Sequence, residues 1–354
     1  MKKYLGAFLF TAFLFSLISV VVDFSDKVDR FVNANMSQTE IWGSYYLNFI
    51  PYINGLLWPL FALIAVIFIT SRLAKNDEVI SILNAGVSYG RFLRPYLISA
   101  LLIAVIHYLG NHYVIPKSNQ IRVKIDTQQL GKNKDKGKYK DVHIFLNPNS
   151  KLYVKNYYKR DSSANYIRIE QLDSGRLTGY IQARRMKLIE RPNVWQLTDI
   201  EHRTFLDNGE ENLVIDRKIK LDTVLNLTHR DFVIRKGDKD VMTSPELREF
   251  IHTKREKGAG STRLYEIEVL RRTAEPFTLI ILTLIGVAVA SRKVRGGMGL
   301  HLAIGVCLGA LFIFLSKFSS TFALNEAVPA IAGVWLPNTI FTLVAIILLI
   351  KAQK

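Results

Sequence analysis

Residues able to do chemistry are few in this chain, and their spacing argues against most reactions. Gly131, Gly137 and Lys138 superficially resemble a phosphate loop, but Tyr139 stands where a Walker loop needs Ser or Thr, the glycine spacing is wrong, and no strand precedes them. His107 and His112 lie five apart and so miss the shared helix face of an i, i+4 metal pair; they read as histidines at the aqueous edge of the bilayer. No HExxH, GxSxG or glycine-rich dinucleotide loop occurs, and the single cysteine, Cys307, permits neither a disulfide nor a cysteine metal site within the chain. Two charged clusters remain. Asp23, Asp26 and Asp29 follow an apolar run, and Glu268, Arg271, Arg272 and Glu275 precede another, where Arg272 can pair with Glu268 or Glu275 or contact an anionic head group.

The third charged feature is Lys75 to Gly90, KNDEVISILNAGVSYG. Asn76 is placed to cap a short helix, and Asp77 and Glu78 occupy its positively polarised first turn. Val79, Ile82 and Leu83 share one face, and Gly86 can end it. A capped connector and a docking helix are both consistent with this pattern.

The elements that position these groups are set by hydropathy. The 354 residues are 49% hydrophobic, an ordinary average that hides apolar ends around a polar middle. Runs near or above about 18 residues with almost no charge imply membrane spans. Six are predicted, at 4–22, 49–70, 96–114, 276–290, 299–315 and 331–350. Phe24, Val28 and Phe31 carry the first helix beyond the bilayer with an amphipathic end, Pro51 and Pro59 lie within the second span, and Pro116 marks the end of the third. The segment 317–329 is expected to lie on the external side.

Between Lys117 and Thr262 lies a soluble insert with 30 Lys and Arg against 20 Asp and Glu, a surplus of +10 that leaves +7 of the total +17 for the membrane-rich remainder. Its partner is expected to be anionic. No RNA-binding, zinc-finger or helix-turn-helix pattern supports nucleic acid. After a basic loop the insert alternates apolar and charged residues in six runs, from VHIFL to NLVIDRKIKLDTVL, separated by NPN, DSG, RPN and DNG turns. A sandwich or jelly roll is the natural architecture. Alternation places Ile167 and Ile169 on an inner face, where they serve as core or as lining for acyl chains. Ser244 and Pro245 open a soluble helix reaching about Lys257, and 258–261 is a hinge. Basic residues at both chain ends, in 71–95 and in the loop 291–297, put those parts in the cytoplasm and the long insert outside. The expected organisation is therefore residues 1–116 with three spans, 117–262 with the β-rich insert, and 263–354 with three more.

In order along the chain, the three-plus-three spans around a β-rich insert, Asn76 to Gly86 (NDEVISILNAG), Met242 to Leu247 (MTSPEL), Tyr265-x6-Arg272-x3-Pro276 and Trp335 to Asn338 (WLPN) resemble the lipopolysaccharide export permeases of the YjgP/YjgQ (LptF/LptG) family, nearer the LptG branch. The resemblance spans essentially the whole chain and implies a multi-pass protein of the bacterial inner membrane with a periplasmic jelly-roll-like domain. It implies a paralogous LptF-like permease and a dimeric cytoplasmic LptB-like ATPase as partners, with ATP bound by that subunit and no cofactor in this chain. Lipopolysaccharide taken from the outer leaflet would pass to LptC/LptA-like periplasmic jelly rolls. The family's coupling motif falls on Glu78, Ile82 and Gly86, with Glu78, beside Asp77, engaging the ATPase. Where the family's first helix presents lysines to lipid A phosphates, this chain has Asp23, Asp29 and Arg30, with Lys27 a turn earlier, so Lys27, Arg30 and Arg272 are the head-group candidates. Other readings from the residues are an integral-membrane enzyme acting on envelope glycolipids, using the three aspartates, and a mechanical transmitter that moves no lipid.

Overall fold

The computed structural model describes residues 1–130, 138–173, 176–190, 192–206, 210–232, 237–258, 261–292 and 297–352. The phosphate-loop lookalike at 131–137, most of the basic loop 291–297 and the centre of the 258–261 hinge lie outside them. Two compact units emerge: a helical one of residues 1–132, 239–244 and 263–354, and a β-rich one of residues 133–238 and 245–262.

The helical unit contains α1 (Lys2–Asn33), α2 (Leu47–Lys75), α3 (Glu78–Asn84), α4 (Tyr89–Leu109), α5 (Ile115–Gln128), α9 (Arg263–Ala290), α10 (Gly297–Leu324) and α11 (Ala330–Ala352), with the short α7 (Asp238–Val241) at its margin. Six helical stretches are long and apolar enough to cross a membrane, in agreement with the six predicted spans. Three differ at their ends. The third does not stop at Pro116, because a π-helical stretch at Gly110–Val114 restarts the helix and leaves Pro116 in the first turn of α5, where its missing N–H costs nothing. Similarly, α2 continues from a π-helical stretch at Glu40–Tyr46. The fifth helix, α10, runs on past Leu315 to Leu324.

Helix α9 is the most enclosed of the six, while α1 and α10 are the least covered. A Cβ on Gly286 of α9 would lie 2.5 Å from Val66 Cγ1, so the missing side chain permits the close approach of α2 and α9. The core joins Leu63, Val66 and Ile67 to Leu279, Leu282 and Ile285. At the far end of α1, Phe31 and Phe24 pack with Tyr45, Tyr46 and Phe49, whereas Val28 turns outward.

In the β-rich unit, β1 (Lys138–Asn147), β2 (Ser150–Tyr158), β3 (Ser163–Asp173), β4 (Arg176–Glu190), β5 (Val194–Phe205) and β6 (Glu211–Val224) realise all six alternating runs. They form one antiparallel sheet in sequential order. The expected jelly-roll-like insert is thus built, among the described residues, as a six-stranded meander. A crease crosses it. Asp141, Tyr166 and Asp199 have positive φ and sit on one cross-strand line through β1, β3 and β5. On one side of the crease Leu152, Val154, Ile167, Ile169 and Ala183 are buried. Beyond it the buried row is Tyr157, Ala164, Met186 and Leu197, shifted by three residues in each strand. A strictly alternating strand would have sent that second row outward. Pairing from β1 to β5 runs through this line without a shift in register, so the strands change face together there, which bends the sheet and keeps one apolar surface on its inside. Leu227 and the short α6 (His229–Phe232) cover part of that surface, and Trp195 Nε1 donates to the Leu227 carbonyl at 2.9 Å. Along β6 it is open, with Val214 and Leu221 exposed in line with the inner rows. In α8 (Ser244–Glu256), Leu247 and Ile251 are buried.

Candidate functional site

Helix α3 is a single polar-fronted turn-and-a-half between two spans. Asn76 terminates α2 rather than capping α3, and Asp77, at φ 59°, makes the reversal that starts the new helix. A left-handed Asp is tolerated there because its short polar side chain suits αL better than most. Val79 is buried, and Ile82 and Leu83 pack on the main core, so the apolar face read from the sequence does hold the helix to the bundle. Gly86, at φ +83°, ends the segment, with its N–H donated to the Leu83 carbonyl at 3.0 Å. Asp77, Glu78 and Ile80 stay exposed. Among the described residues Glu78 receives a single side-chain hydrogen bond, from Asn76 at 3.4 Å. This arrangement can bind a surface but contains no catalytic set.

A second polar region lies where α1 leaves its apolar stretch. Lys27 is buried, pairs with Asp23 at 2.6 Å and Asp126 at 3.7 Å, donates to the Tyr45 hydroxyl and stands over the Tyr45 ring. Arg122 pairs with Asp126 at 2.9 Å and stacks on Tyr52 at 4.4 Å. This explains why a lysine can be buried there: two carboxylates and an aromatic face replace its water. Arg30 is half-buried and has no ion pair among the described residues, while Asp26 and Asp29 are exposed. Of the three head-group candidates it is the one whose charge is not already engaged.

The third region is the α9 cluster. Glu268, 1% exposed in its side chain, accepts from Arg271 Nη2 at 2.8 Å and Arg272 Nε at 3.0 Å, with Lys239 at 3.6 Å. Arg271 also pairs with Glu275, which accepts from Asn111 Nδ2 at 2.7 Å. Arg272 therefore takes the Glu268 alternative. Its other nitrogens donate to the Lys239 carbonyl at 2.7 Å, the Met242 carbonyl at 2.8 Å and Ser244 Oγ at 3.3 Å, fastening residues 239–244 to α9. The cleft between Tyr52, Gly55, Asn111, Asp240, Glu268 and Glu275 encloses about 30 Å³, room for a water and far too little for a glycolipid head group. Burial, together with the neighbouring Glu268, pushes the Asp240 carboxyl above the usual carboxylate range.

Both histidines differ from expectation. His107 is fully buried, with Nε2 against the Gly55 carbonyl at 3.1 Å and its ring stacked on Trp58, and His112 is buried beside Tyr108. His107 lies in the last turn of α4 and His112 in the π-helical stretch that follows, and both side chains face the packed interior rather than water. Asn338 of the WLPN stretch is a bolt between helices, accepting from Thr278 Oγ1 at 2.8 Å and donating to the Ala274 carbonyl at 3.1 Å. Asn111, Asn338 and the Lys27 contact of Asp126 were not legible, since each joins residues on different elements, whereas Arg122 and Asp126 stand at the i, i+4 spacing within α5 that a linear reading could have found. Ile167 and Ile169 lie on the inner surface of the sheet as expected. No cluster of three metal-ligating side chains occurs among the described residues.

Comparison with known proteins identifies the common background of these features. The profile of the family described as "Lipopolysaccharide export system permease LptF/LptG" matches residues 1–351. The chain is 19% identical over 358 residues to the lipopolysaccharide export system permease protein LptG of Escherichia coli (strain K12), covering 99% of this chain and 98% of that protein. It is 20% identical over 353 residues to the LptG protein of Haemophilus influenzae, with 96% and 94% covered. The six apolar helices, the β-rich insert between the third and fourth, and a match across nearly the full length show that this chain is a multi-pass membrane protein belonging to the LptF/LptG family of lipopolysaccharide export system permeases.

Proposed function

We propose that this chain is the LptG-type permease subunit of an ATP-driven complex that lifts lipopolysaccharide out of the outer leaflet of the inner membrane and hands it to periplasmic jelly-roll proteins. The observation that carries the reading is α3. It offers an acidic, exposed front on a helix anchored by Val79, in a chain with no nucleotide-binding loop of its own among the described residues. Energy is then borrowed, and Glu78, assisted by Asp77, is the point at which a dimeric cytoplasmic ATPase engages. Ile82 holds the helix to the bundle and Gly86 ends it, so that a push on α3 is transmitted to α2 and α4.

The scantly covered α1 and α10 are the surfaces for a paralogous LptF-like bundle, and the substrate lies between the two. Arg30 is the head-group contact from α1. Lys27 and Arg272 act from within, holding the polar ends of α1 and α9 in shape, and reach a phosphate only if their internal pairs open. Acyl chains enter the creased sheet against Ile167 and Ile169, an assignment supported by the open inner surface along β6. With positive charge gathered at the chain ends and in 71–95, the insert is periplasmic.

The test is a charge reversal at Glu78. Glu78→Lys, expressed with its partners, is expected to fold and insert normally but to retain at most a tenth of the co-purified ATPase and of ATP-driven lipopolysaccharide release. Unchanged complex yield together with unchanged release would defeat the coupling assignment.

A further inference from the structure

Helix α4 carries a surface that the export reading leaves unused. Ile98, Leu101, Leu102 and Val105 are each roughly half-exposed and recur at helical spacing, so they form one apolar stripe on its outer side. Continuing that stripe toward the helix start by the same i, i+3 and i+4 steps leads to Arg94 and Arg91. Both arginines are exposed, and among the described residues neither has a carboxylate within ion-pair distance. The same helix buries its opposite side, where Phe92, Tyr96, Ala100 and Ile103 enter the core. The stripe is therefore a separate face and not a gap in the bundle.

We propose that this face binds a glycerophospholipid with a net negative head group, its phosphate between Arg91 and Arg94 and an acyl chain along Ile98, Leu101 and Val105. The dimensions fit one leaflet. Arg94 and Val105 are eleven residues apart, about 17 Å of helix, against a half-thickness of roughly 15 Å for the hydrocarbon core. Two guanidiniums one turn apart offer forked donors to phosphate oxygens, and their charge selects an anionic over a zwitterionic head group. A soluble protein could reach the arginines but not the apolar stripe beyond them, which favours lipid as the occupant of the whole face. The site lies in the leaflet on the Arg91 side whichever way the protein is inserted, so it stands apart from the export assignment.

The test uses the full chain in phosphatidylcholine vesicles, with Leu101→Trp as a reporter and the four native tryptophans subtracted from a chain lacking it. Brominated phosphatidylglycerol is expected to quench the reporter about tenfold more effectively than brominated phosphatidylcholine at equal mole fraction, given two basic residues at an anionic head group. Arg91→Gln with Arg94→Gln is expected to bring the two lipids to parity, while Arg91→Lys with Arg94→Lys keeps most of the preference. Parity in the reporter chain itself, or a preference that survives the glutamine pair, would overturn the proposal. Displacement of the brominated lipid by unlabelled lipopolysaccharide at lower mole fraction would reassign the face to substrate. Loss of a co-purified ATPase from the glutamine pair, with lipid preference unchanged, would reassign it to a protein.

Discussion

At the residue scale the charges of this molecule divide into those committed inside it and those left for others. Arg272 belongs to the first group, joining Glu268 to three backbone and side-chain acceptors between Lys239 and Ser244. Removing it leaves Glu268 paired with Arg271 and Lys239 but takes the donors from the Lys239 and Met242 carbonyls, so Arg272→Ala is expected to cost about 2–3 kcal/mol. The check is thermal unfolding of the purified chain in detergent, where Arg272→Lys should recover only part of the loss because an ammonium cannot reproduce the guanidinium's directed donors. Asp240 gives a pH test. Its folded-state pKa is raised by burial and by Glu268, so its protonated form is favoured by folding. Its contribution is fully present below the unfolded carboxylate range and is lost as pH rises through the elevated folded value. Asp240→Asn should therefore melt with the parent at acid pH and above it at neutral pH. An equal neutral-pH midpoint, or a lower one, would contradict that sign.

At the element scale α3 is short enough that its two ends decide it. Gly86 has open space where a Cβ would stand but a φ of +83°, so the obstacle to replacement is backbone conformation alone. Gly86→Ala is expected to cost about 1–2 kcal/mol, localised to the end of α3. Hydrogen exchange should show faster exchange at Ser81 to Gly86 with α2 and α4 unchanged, and ATP-driven release should fall if α3 transmits force. The sheet makes a related point. Its six strands were legible from alternation and turn residues, and so was the inward placing of Ile167 and Ile169. The inward placing of Tyr157, Ala164, Met186 and Leu197 was not, because the strands change face at the crease, where Asp141, Tyr166 and Asp199 take a positive φ that a linear reading of alternation does not show.

At the scale of the whole molecule, the proposed function assigns one amphiphile two places, the lightly covered helices of the bundle and the open apolar surface of the β-rich unit. A photoreactive residue replacing Ile169 is expected to capture glycolipid only while ATP is turned over by the complex, detectable as a mass-shifted band. Absence of any lipid adduct during turnover would favour force transmission without lipid transfer.

What the chain alone determined is whatever depends on local period: six apolar runs, six alternating strands, the acidic start of α3 and its Gly86 stop, and, through the order of loose motifs, the family. Hydropathy and alternation act over a few neighbouring residues, so they survive in a linear reading. Tertiary structure decided which charges are free. Lys27 meets Asp126 ninety-nine positions away, Asn111 meets Glu275, and Arg272 meets the carbonyl of Lys239. Those pairings follow from helices packing side by side, and each buried charge must find a partner once water is excluded. A sequence shows a charge, but only the packed structure shows whether it is already spent within the fold.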